Sequence, residues 1–115
     1  MAEITRPKRI IVYKDKGGNE PFTTWLDNLR DLDGKRRIAA RITRLQSGLY
    51  GDCEPVGEGV SELRMFFGPG YRVYFGEGEN DIVILLCGGD KSTQKKDIKT
   101  AKEYWQEYKE NERRT

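Results

Sequence analysis

The chain has 115 residues, with 21 Lys and Arg against 19 Asp and Glu, a net charge of +2 and no histidine. That length supports one domain spanning residues 1–115, able to bury roughly 65 % of its unfolded-chain surface. The lack of histidine excludes His-based triads, His general bases and most zinc sites. No apolar run exceeds six residues, so neither a membrane span nor a signal-peptide core is expected, and a cytoplasmic location is the default.

Arg9 to Lys14 is β-branched and aromatic and reads as a first strand. Gly17-Gly18-Asn19 breaks it, and Asn19 reads as the cap of a helix with Glu20 and Pro21 in its first turn. Phe22, Trp25, Leu26 and Leu29 follow at i, i+3, i+4 and i+7, an amphipathic helix. Asp33 is expected to cap a second helix carrying an apolar stripe of Ile38, Ile42, Leu45 and Leu49. A parallel stripe of Arg37, Arg41 and Arg44 is either a solvated face or a contact for a nucleic-acid backbone or an acidic partner.

Tyr50 to Gly59 reads as a glycine- and proline-bearing connection, with Cys53 in a loop. Strands are expected over Val60–Phe67, Gly70–Gly76 and Asp81–Cys87. Their turns lie at Gly68-Pro69-Gly70 and from Gly76 to Asn80. Ser92 or Thr93 caps a last helix with an apolar stripe of Ile98, Ala101, Tyr104, Trp105 and Tyr108, and Glu110 to Thr115 is expected to fray. The stripe is read as core, or otherwise as a partner surface. The reading is an α+β fold in β-α-α-β-β-β-α order. Two N-terminal helices pack on a small, mostly antiparallel sheet, and a C-terminal helix follows. Two cysteines in a cytosolic chain are not expected to pair.

Strand alternation puts Leu63 and Met65 on one face and Arg64 on the other. Val73 and Phe75 share a face, and Arg72 and Tyr74 take the opposite one. A half-buried sheet with Arg64 and Arg72 on its open face suggests an anion site. Guanidinium gives phosphate two parallel hydrogen bonds and stays charged. The alternative is that both arginines pair with Glu62 or Glu77. Tyr71 or Tyr74 is placed to stack on a base. The loop Gly88-Gly89-Asp90-Lys91-Ser92-Thr93-Gln94, at a strand-to-helix junction, adds backbone donors with Lys91, Ser92 and Gln94 as anion-binding candidates. Asp97, in the first turns of the last helix, either reaches the same site or supports the helix dipole. No carboxylate cluster has metal-ligand spacing, and neither a metal nor a cofactor is expected.

The blocks Glu62-Leu63-Arg64, Gly68-Pro69-Gly70-Tyr71-Arg72 and Leu85 to Gln94, with Asp97, Ala101, Tyr104 and Trp105 after them, strongly resemble the RelE/ParE toxin superfamily. The nearest likeness is to its HigB-like branch of addiction-module killer proteins, over nearly the whole chain. The resemblance implies the toxin of a type II toxin–antitoxin system, held inactive by an antitoxin. In this branch the antitoxin is typically a helix-turn-helix protein through which the pair represses its operon. Many members are ribosome-dependent endoribonucleases that cut mRNA and stop translation; ParE members poison DNA gyrase. On the nuclease reading Arg72 stabilises the phosphate with Arg64 beside it. Lys91 is a second cation or the acid, and Lys91 or Asp97 is the base. The tyrosine or histidine that some members place on the last helix has no matching residue here at that spot. Gyrase inhibition, and an antitoxin-binding co-repressor without nuclease activity, stay open as alternatives.

Overall fold

The computed structural model describes residues 6–114. In chain order the elements are β1 (Arg9–Val12), α1 (Pro21–Asp27), α2 (Leu32–Gln46), β2 (Cys53–Gly57), β3 (Val60–Arg64), β4 (Tyr71–Glu77) and β5 (Ile82–Asp90). A short 3₁₀ turn, Lys91–Thr93, then leads into α3 (Gln94–Arg113). This is an α+β fold with a five-stranded mixed sheet of order β1-β5-β4-β3-β2. β1 runs parallel to β5, and the other neighbours are antiparallel.

One strand was not expected. β2 occupies the stretch read as a connection, and it pairs with β3 through a two-residue turn. Both turn residues, Glu58 and Gly59, have left-handed φ of 55° and 84°, as the hairpin turn that matches strand twist requires. Pro55 breaks the alternation pattern. A strand at the sheet edge tolerates it, because its outer N–H has no partner to lose. Cys53 therefore opens a strand instead of sitting in a loop.

The helix caps also move. Glu20, not Asn19, caps α1 and accepts a 2.7 Å hydrogen bond from the Thr23 hydroxyl. Asp31, not Asp33, caps α2, its carboxylate accepting the Gly34 N–H at 2.9 Å. Thr93 occupies the cap position of α3, while Asp90 closes the preceding turn by accepting from the Ser92 N–H. α2 ends at Gln46, so Leu49 lies outside it and is exposed. α3 runs to Arg113, through most of the segment expected to fray; Thr115 lies outside the described residues.

The sheet is covered on both faces. On one, α1 and α2 bring Phe22, Ile38 and Leu45 against Leu63, Met65, Val73, Phe75, Val83 and Leu85. On the other, α3 brings Ala101 and Trp105 against Val60, Tyr74, Ile84 and Leu86. The apolar strand residues divide between the two cores largely by alternation. A register shift between Tyr74 and Phe75 leaves an extra residue on β5, so that Leu86 and Cys87 serve the same core. Cys53 packs with the first core and Cys87 with the second, and both are free thiols. No helix among the described residues is long and apolar enough to cross a membrane.

Candidate functional site

The open sheet face expected for Arg64 and Arg72 does not exist as such, because α3 covers it. Arg64 and Arg72 are cross-strand partners in the β3–β4 ladder, at the end of the sheet beside the Gly68-Pro69-Gly70 turn. Arg72 is only 5 % exposed. Its Nη1 donates to the carbonyls of Gly70 (3.0 Å), Tyr71 (3.1 Å) and Met65 (3.4 Å). Gly70, with φ of 79°, turns the chain so that these carbonyls close round the guanidinium.

The partner of Arg72 is Glu62, 2 % exposed, with Oε1 3.8 Å from the arginine Nε. The other oxygen of Glu62 accepts from Gln94 Nε2 at 2.8 Å. Arg64 stands between two acids of the β2 side, Asp52 at 3.7 Å and Glu54 at 3.8 Å. The three arginine–carboxylate contacts are too long for hydrogen bonds. The Nε–H groups of both Arg64 and Arg72 are buried and lack a hydrogen-bond partner. Buried donors are rarely left unsatisfied, and each one that is calls for an explanation.

Between these groups lies a cleft of about 550 Å³. Glu62, Arg64, Phe66, Arg72, Lys91 and Gln94 are among the residues that line it. Lys91 is exposed and makes no ion pair among the described residues. A larger groove of about 650 Å³ lies between the β4–β5 turn and the end of α3, walled by Glu77, Glu79, Trp105 and Tyr108 among others. Volume favours that groove. The chemistry favours the cleft, where three cations and two unsatisfied donors meet.

Four residues expected at the site, Arg64, Arg72, Lys91 and Gln94, thus line one cleft. The others do not. The Tyr71 ring belongs to the α1–α2 core, and its hydroxyl donates to Asp31 Oδ2 at 2.9 Å. Tyr74 is fully buried under α3; burial and then the negative charge of Glu62 push its phenol up. Neither ring has a free face for a base. Arg41 is a brace, its guanidinium donating to the carbonyls of Arg64 (2.8 Å), Tyr50 (3.1 Å) and Asp52 (3.2 Å). Arg37 lies over the Phe67 ring at 4.1 Å and pairs with Asp33. Arg44, exposed in the last turn of α2, does not line the cleft either.

The glycine loop is likewise reassigned. Gly88 and Gly89 are residues of β5. A Cβ on Gly88 would collide with the Trp25 ring of α1, and one on Gly89 with the Asp97 carboxylate of α3. These glycines admit packing from both sides of the sheet; they do not form an anion cradle. Asp97 accepts from the Thr93 hydroxyl and lies against Gly89, outside the cleft lining. The Ser92 hydroxyl donates to Asp90 and serves the turn. Burial pushes the Cys87 thiol up to about 12, so it is no nucleophile at neutral pH. Among the described residues no group of three His, Cys, Asp or Glu side chains is arranged to hold a metal ion.

Of the lining residues that the sequence reading did not name as site members, Glu62 and Phe66 bear most on the chemistry. Glu62 shares a strand face with Arg64 by period-two alternation, and that pattern was available to find it. Phe66 falls on the same face by alternation within the strand expected over Val60–Phe67, although β3 itself ends at Arg64.

No family model matches the chain. An uncharacterized protein of Haemophilus influenzae is 56 % identical to it over 81 residues, which cover 70 % of this chain and 82 % of that protein.

Proposed function

We propose, for a chain that belongs to one family with the uncharacterized Haemophilus influenzae protein, that it is the toxin of a type II toxin–antitoxin pair. In this reading it is RelE/ParE-like in fold and works in the cytoplasm as a ribosome-dependent mRNA endonuclease. Its partner is an antitoxin of the helix-turn-helix kind. The observation that carries the reading is the meeting of Arg64, Arg72 and Lys91 on one cleft beside the carboxylate of Glu62. The likeness of the Glu62–Arg64, Gly70–Arg72 and Leu85–Gln94 blocks to that superfamily supports it.

Each side chain has a part in the chemistry. RNA cleavage needs the 2′-hydroxyl to attack the adjacent phosphorus while the bond to the 5′-oxygen breaks, leaving a 2′,3′-cyclic phosphate. Glu62 takes the 2′-proton. Unlike Asp97 it lines the cleft, and Gln94 and Arg72 hold it in place. Arg72 and Arg64 meet the charge that grows on the phosphate. Their Nε–H groups have no hydrogen bond to give up, but they are buried, so an entering oxygen reaches them only as the side chains shift toward the cleft. Lys91, on the rim, gives a proton to the leaving 5′-oxygen. The cleft is open on one side and fixes no in-line geometry for a flexible strand. The ribosome supplies that positioning, so free RNA is cut slowly.

The test is a reconstituted translation reaction with primer extension, comparing the unaltered protein with Lys91→Ala and Arg72→Lys. Cuts within A-site codons, absent without ribosomes and lost in Lys91→Ala at an unchanged melting temperature, are the expected result. Intact mRNA and unhindered translation would overturn the reading, and a gyrase supercoiling assay would then follow.

A further inference from the structure

Among the described residues Phe66 is the most exposed large hydrophobic side chain, at 77 %. Its neighbours are used by the fold. Met65 is buried, and Phe67 packs against the α1–α2 core and under Arg37. Phe66 belongs to neither core, and leaving a phenyl group in water forgoes the stabilisation its burial would give. It stands on the wall of the cleft, with the Arg64 guanidinium 5.7 Å from its ring centroid. Among the described residues no other aromatic side chain lines that cleft. The tyrosines expected to stack on a base are buried elsewhere.

We propose that Phe66 is the stacking platform of the cleft, and that the ligand it selects is single-stranded RNA. A phosphate lies on Arg64 and Lys91 while an adjoining base lies flat on the Phe66 ring. A cationic groove beside an exposed aromatic face suits single strands, whose bases are free to leave the stack. A duplex keeps its bases stacked and offers this ring nothing. Stacking tolerates every base, since each has a π-face. The one amide on the cleft wall, Gln94, is committed to Glu62, so base edges go largely unread at this site. The inference rests on the nuclease reading for its choice of RNA, but binding alone tests it.

The experiment is a fluorescence anisotropy titration at low salt. The probe is a labelled single-stranded oligonucleotide with 2′-O-methyl groups, which cannot be cleaved, beside an abasic strand of the same length. The full chain is compared with Phe66→Ala and Phe66→Trp. The unaltered protein is expected to bind the base-bearing strand about 5- to 100-fold more tightly than the abasic one. Phe66→Ala is expected to bring the two within about twofold, leaving the phosphate contribution, and Phe66→Trp to restore the gap. Three results overturn the proposal: equal binding of the base-bearing strand by Phe66→Ala, no preference for bases in the unaltered protein, or no binding of either strand. Each of them leaves Phe66 as a contact for a protein partner. Base-dependent binding without cleavage on the ribosome would refute the nuclease reading and leave this one standing.

Discussion

Arg72 and Glu62 are committed to each other before any ligand arrives, and that makes them poor probes of function by simple truncation. Removing either leaves an uncompensated charge in the sheet, so Arg72→Ala and Glu62→Ala are each expected to cost about 3–5 kcal/mol in urea unfolding. Lys91 is the opposite case. It is exposed and unpaired among the described residues, so Lys91→Ala is expected to move stability by no more than about 0.5 kcal/mol. A loss of cleavage in this variant would then report on chemistry alone. A large stability cost for Lys91→Ala would contradict its free position. Asp31 gives a pH test. The Gly34 N–H and then the Tyr71 hydroxyl hold its carboxyl below the ordinary value of 3.8. A folded-state pKa below the unfolded one means that its stabilisation is full above the unfolded value. It fades as pH falls through the folded one. Asp31→Asn should therefore lower the urea midpoint more at pH 7 than at about pH 2. An equal cost at both pH values would argue against the carboxylate's charge.

The docking of α3 depends on places where β-strand side chains are missing. Trp105 sits over Gly76 and beside Gly59, and a Cβ on Gly76 would collide with its ring. Tyr104 stacks on Tyr13 at 4.8 Å, and Tyr108 on Trp105 at 5.6 Å, extending the contact along the helix. Gly76→Ala is expected to destabilise by about 1–3 kcal/mol through overpacking and to red-shift tryptophan emission as α3 lifts. Gly78→Ala is the control. There the nearest atom to a new Cβ is Ile84 Cδ1 at 3.4 Å, an ordinary contact, and little change is expected. An unchanged Gly76→Ala protein would mean that α3 is held by something other than this close approach. The same device explains why Gly88-Gly89 misleads as a sequence. Glycines that clear a path for Trp25 and Asp97 look, in one dimension, like glycines that expose backbone to an anion.

Two cores share one sheet, and β3, β4 and β5 contribute to both. Opening either face strips support from the same strands, so a single cooperative unfolding transition is expected. Ile38→Ala, on the buried face of α2, and Leu86→Ala, under α3, should each cost about 2–5 kcal/mol. Two separated transitions by circular dichroism and fluorescence would show the faces to be independent. The helices, the three central strands and the α+β class were legible because period 3.6 and period 2 are local properties of a chain. Ile38, Ile42 and Leu45 mark a helix whatever they pack against, and Leu63, Val73 and Phe75 mark one sheet face. β2 was not legible, since Pro55 and Gly57 erase its alternation and only its pairing with β3 makes it a strand. Nor was the fate of the charged side chains. Arg41, Arg72 and Asp97 look alike as candidates in the chain, yet their partners are set by residues up to tens of positions away. Tertiary packing places a carboxylate, a carbonyl or open cleft beside each. The face of Arg72 and Tyr74 reads as open until α3 is laid across it. That Phe66 is the exposed aromatic ring at the cleft, among the described residues, then follows from which tyrosines that packing has already buried.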